Sequence, residues 1–147
     1  MTKKIVNIRI PLPADTGLRS EVMWAETLGG GRYRLSNIPF HAYNLNLGDI
    51  VYASVSASDC MPVYRSTKVG SGNLTMRVFF PVAIDSKERQ AFVDRMKQLT
   101  AKIEWANGRS CALSLPTPVV FETVFEALVK LEVSGVLCFE TTELVDH

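Results

Sequence analysis

The sequence predicts an α+β protein: a small N-terminal β sheet or partial barrel packed on a C-terminal ferredoxin-like β-α-β-β-α-β half. Three observations predict it. Short apolar runs punctuated by Gly and Pro fill the first 73 residues, the pattern of strands and turns. Two amphipathic segments, each opened by a helix-capping signal, follow in the second half. Between them lies Asn107-Gly108, flanked by apolar runs, the dipeptide most characteristic of a β hairpin. The Ser71-Gly72-Asn73 turn divides the chain into a β-rich subdomain, 1–73, and an α+β subdomain, 74–147.

In the first half, Lys4 to Ile10 alternates apolar and polar residues and reads as a strand stopped by Pro11 and Pro13. Glu21 to Leu28 is the next strand. Gly29-Gly30-Gly31 offers the positive-φ positions of a tight reversal, and Arg32 to Leu35 returns. Asn37-Ile38-Pro39-Phe40 breaks the ladder, because Pro39 has no N–H to donate. Gly48-Asp49 then turns into a strand through Ala53, and Tyr64 to Val69 is a fifth, weaker one. In this half Trp24, Leu35, Ile38 and Phe40 are the expected core.

In the second half, Thr75 to Phe80 is a strand stopped by Pro81. Asp85-Ser86-Lys87-Glu88 has the form of a capping box, and Phe92, Met96, Leu99 and Ile103 make one helical stripe. The hairpin that follows, Ile103 to Ala106 and Ser110 to Leu115, ends that helix near Lys102. Thr117-Pro118 opens a second helix with the stripe Phe121, Val124, Phe125, Leu128 and Leu131, closed by Gly135. Val136 to Thr142 is the last strand.

With 47% hydrophobic and 21% charged residues among 147, the chain has the composition of a globular domain. A formal charge of +1 gives no global field toward nucleic acid or anionic membrane. Local charge is uneven: from Thr117 onward Lys130 stands alone against Glu122, Glu126, Glu132, Glu140, Glu143 and Asp146. Such a segment is a solvated surface or an acidic docking face for a basic partner. Cys60, Cys111 and Cys138 are odd in number and widely spaced, unlike a disulfide framework, and no apolar core follows Lys3 and Lys4 as in a signal peptide. The expectation is a cytoplasmic chain with Cys111 and Cys138 buried in strands.

Catalytic chemistry finds little purchase. His41 has a near-neutral pKa as a type but no nucleophile or carboxylate at a fixed spacing. The histidines and cysteines are too scattered for a zinc site, and Gly29-Gly30-Gly31 joins two strands rather than opening a helix onto a phosphate. Cys60 beside Asp59 lacks the neighbouring base that would activate a thiol. Met76 to Phe80 offers aromatics of the sort RNA-recognition sheets stack on, without their motif and beside an acidic segment. No cofactor is expected.

The strings Glu21-x-x-Trp24, Tyr33 to Phe40 (with Asn37 and Pro39), Gly48-Asp49-Ile50-Val51 and Ser71 to Arg77 form a pattern of their own. They resemble a family of small bacterial proteins of unknown function, chiefly over Glu21 to Arg77. The resemblance implies stand-alone cytosolic domains, some of them immunity partners of toxins. Glu21, Asp49 and Arg77 could form a buried ionic network, and such a network would be costly to break. Together these readings lead to a non-enzymatic protein-binding role. In its concrete form this is an immunity protein whose Glu122, Glu126, Glu132 and Glu140 meet a basic toxin domain. The competing expectation is a small-ligand binder or enzyme in which Glu21, His41, Asp49 and Arg77 converge in a groove between the halves.

Overall fold

The computed structural model describes residues 3–143, and the chain folds as two compact units, Met1–Gly72 and Asn73–His147. It is α+β, with two α-helices and two sheets among the described residues. No described helix is long and apolar enough to cross a membrane.

The first unit is built from β1 (Ile5–Pro11), β2 (Ser20–Gly29), β3 (Arg32–Leu35), β4 (Ile50–Val55) and β5 (Pro62–Val69). These strands close into a barrel in sequence order. Successive strands pair antiparallel, and the seam between β1 and β5 is parallel at Arg9 and Val63. Register shifts in the β2–β3 and β4–β5 ladders mark irregularities. Bulges of this kind add local twist and let few strands curl into a closed wall. At the β2–β3 reversal Gly29, Gly30 and Gly31 all have positive φ. A Cβ on Gly31 would also lie 2.7 Å from the Tyr52 ring, so conformation and space both require glycine there.

Ile8, Ile10, Met23, Ala25, Leu35 and Val51 fill the barrel. Trp24 does not join them; it is 53% exposed. The reason is strand parity: Glu21, Met23 and Ala25 face inward, so Val22 and Trp24 face out. Leu35 and Ile38 are buried as expected, and Phe40 is half-buried.

The second unit runs β6 (Leu74–Phe79), α1 (Ser86–Gln98), β7 (Lys102–Trp105), β8 (Ser110–Leu115), α2 (Pro118–Val133), β9 (Cys138–Thr141). Its four strands form an antiparallel sheet in the order β7-β8-β6-β9. Met76, Val78, Cys111, Leu113 and Leu115 on one sheet face share a core with Met96 of α1 and Val124 and Leu128 of α2. On the opposite parity Thr75, Arg77, Ala112 and Ser114 are buried too.

The caps follow the sequence signals. Asp85 accepts from the Glu88 N–H, and Thr117 accepts from the Val120 N–H with Pro118 in the first turn. α2 ends in a Schellman turn: Val136 N–H bonds Leu131 C=O, Gly135 N–H bonds Glu132 C=O, and Gly135 has φ 79°. α1 ends at Gln98, earlier than the apolar stripe implies. Thr100 takes φ 65° and the Ala101 N–H turns back to Met96 C=O, which places Ile103 on β7. The β7–β8 hairpin closes through an Asx turn rather than a glycine-led one. Asn107 Oδ1 accepts from the N–H groups of Arg109 and Ser110, and Gly108 is not among the positive-φ residues.

Candidate functional site

Residues 36–49, between β3 and β4, form a long connection without helix or strand whose Ile38, Ala42, Leu45 and Asp49 are buried. A buried loop must find partners for its amides. Glu21 and Asp49, both singled out in the sequence, supply them, and Asn37 of the loop reaches back to β2. Glu21, 7% exposed, accepts from Phe40 N–H at 2.6 Å and from His41 and Ala42 N–H at 2.9 Å each. Asn37 Oδ1 accepts from Trp24 N–H at 2.8 Å, while Ser36 N–H bonds Trp24 C=O, carrying the β2 ladder past the end of β3. Asp49 accepts from Asn46 N–H and from Ser71 N–H, at 2.9 and 2.8 Å. Pro39, with no N–H to satisfy, is buried inside this loop.

Arg77 Nε donates to Glu140 Oε1 at 2.9 Å, across the directly opposed β6–β9 pair. The buried carboxylates of Glu21 and Asp49 are thus held by backbone amides, and Arg77 by Glu140. Glu21 and His41 do meet, through the His41 backbone; the His41 residue is exposed.

The four glutamates expected to form the docking face, Glu122, Glu126, Glu132 and Glu140, divide in two. Glu122 and Glu126 are exposed on α2, one turn apart. Glu132 instead caps a strand edge: its Oε2 accepts from Phe139 N–H at 3.1 Å. β9 lies at the end of the sheet, and the neighbouring Thr142 N–H points inward to Thr75 C=O. By alternation the Phe139 N–H therefore points outward, where it would otherwise template another strand. Glu140 belongs to Arg77. Asp146 lies outside the described residues.

An outward apolar stripe of α2 accompanies Glu122 and Glu126. At 100° per residue, Val119, Glu122, Glu126, Val129 and Val133 fall within about 80° of one another, opposite Val124 and Leu128. Val119 is 74% and Val133 83% exposed. Phe125 borders this stripe, 40% exposed, braced by its stack on Phe121 and an edge contact with Phe139. Lys130 borders its other side and Glu132 lies about 100° off its centre. The spacing 119, 122, 126, 129, 133 was the available signal: a second 3-4-3-4 repeat running opposite the core stripe.

Of the cysteines, Cys111 is buried, and burial pushes its thiol up to about 12. Cys138 is exposed, contrary to expectation, because on the short edge strand it opposes the exposed Phe79 while Leu137 and Phe139 turn toward the core. Cys60 is exposed. Among the described residues no three His, Cys, Asp or Glu side chains converge as a metal site.

Residues 21–139 match a family described as a domain of unknown function, DUF4265. No curated protein matches the chain. Among solved structures, a hypothetical protein from Neisseria gonorrhoeae is similar at TM-score 0.77 and 18% identity, covering 100% of this chain and 99% of that one. That likeness is one of fold.

Proposed function

The chain belongs to the DUF4265 family, whose description assigns no activity, and from its own surface we propose that it is a non-enzymatic protein-binding protein. In its concrete form it is an immunity protein that occludes a cognate toxin. The observation that carries this reading is the outward stripe of α2, apolar at Val119, Val129 and Val133 and acidic at Glu122 and Glu126. A helix with an apolar stripe on its solvent side has surface to bury, and the central carboxylates select a partner segment with basic residues between apolar ones. The charges speed encounter and fix register, while Phe125 and the valines supply buried area.

The rest of the molecule supports a scaffold role. Glu21, Asn37 and Asp49 are spent on backbone amides, and the sheet order with a helix after its first and third strands reads as ferredoxin-like. Within the second unit the core shared by the sheet, α1 and α2 holds α2 in place, which lowers the entropic cost of association.

The test is co-expression with the product of the adjacent gene. A toxic product whose effect is relieved by the wild-type chain, and not by Glu122→Lys/Glu126→Lys, supports the reading. A product that neither harms growth nor binds the chain defeats the immunity form of it.

A further inference from the structure

A cleft of about 470 Å³ opens on the barrel of the first unit, within the range of small-molecule sites. Val6, from β1, and Met61 give it an apolar wall. Its polar lining is unevenly occupied. Asp59 is committed: Oδ2 accepts from Arg9 Nε at 2.7 Å and Oδ1 from Met61 N–H at 3.1 Å. The Met61 amide, then Arg9, hold its carboxyl below the usual 3.8, so it stays ionised and its charge is matched by Arg9.

Lys4, Asn7, Thr27 and Tyr33 line the same cleft, and Lys4, Thr27 and Tyr33 share the inward strand parity of Val6, Ala25 and Leu35. None of these side-chain groups hydrogen-bonds or ion-pairs within the protein among the described residues. With Asp59 and Arg9 cancelling, Lys4 leaves the cleft with one net positive charge, beside groups able to donate to oxygen. From this juxtaposition we infer that the barrel cleft binds a small monocarboxylate with a short apolar body, its carboxylate on Lys4, Thr27 and Tyr33. The site is separate from the α2 stripe and stands or falls without it.

Cys60 lines the cleft and is exposed, whereas the equally exposed Cys138 sits on β9 of the other unit, so the two thiols form a probe and its control. The experiment follows iodoacetamide alkylation of both cysteines in the full chain by mass spectrometry, with sodium benzoate or hexanoate and with benzamide as the uncharged counterpart. Saturating carboxylate slows Cys60 by about tenfold at ten times its Kd and leaves Cys138 unchanged. Benzamide protects far less, and Lys4→Met, a surface change, removes the protection. Tyr33→Phe weakens it. Equal slowing of both cysteines, no slowing of Cys60 by either carboxylate, or protection that survives Lys4→Met would each overturn the assignment.

Discussion

The carboxylate of Glu21 accepts a 2.6 Å hydrogen bond from the backbone N–H of Phe40, and the next two amides of the chain converge on the same side chain. Glu21 projects inward from the barrel strand β2 and acts as the organising anion of a loop that has no ladder of its own.

Removing that anion leaves three amides without their acceptor. Glu21→Ala is expected to destabilise the first unit by about 3 kcal/mol or more, because each buried amide left unsatisfied costs roughly 1–3 kcal/mol. Glu21→Gln, which keeps one strong acceptor, costs less. Thermal unfolding of the two variants checks the order. Added acetate, able to enter the vacated nest, raises the melting temperature of Glu21→Ala and leaves that of the wild type alone.

Much of this was legible in the sequence, and the parts that were not share a cause. Caps and turns are local, so Asp85, Thr117 and Gly135 act as their neighbours imply. Which face a residue shows is not local. Trp24 reads as core by type and is turned out by parity with Met23. Cys138 reads as buried within an apolar run and is exposed because its strand is an edge. The acidic segment reads as one face because charge is counted along the chain. In space Glu132 is drawn to the Phe139 amide and Glu140 to Arg77, and only Glu122 and Glu126 remain on the α2 stripe.

Glu132 guards an edge through its bond to the Phe139 amide. Glu132→Ala uncovers the Phe139 N–H and is expected to cost about 1 kcal/mol while promoting concentration-dependent dimers through β9. Glu132→Gln, which still accepts, stays monomeric to higher concentration. Sedimentation velocity across a concentration series distinguishes them, and equal behaviour of both variants would remove the edge-guard role.

The cysteines separate by burial. Cys111, with its thiol pushed up to about 12, is not labelled by a thiol reagent in the native state at neutral pH, while Cys60 and Cys138 are. Folding raises this thiol above its ordinary 9.0, so the unfolded chain loses the proton first. Its contribution to stability is full below pH 9.0 and declines as pH rises toward about 12. Cys111→Ser removes that part of the alkaline loss, which denaturant titrations at pH 8 and at about pH 10 measure.

Docking through the α2 stripe is tested most directly by the affinity of the purified chain for the product of the adjacent gene, measured by isothermal titration calorimetry. The wild type is predicted to bind with a Kd of about 1 μM or tighter, and Glu122→Lys/Glu126→Lys/Val133→Asp to bind at least about tenfold more weakly, with Trp24→Ala and Glu132→Gln unchanged. A pair that does not associate, or an affinity indifferent to the three changes on α2, would contradict it.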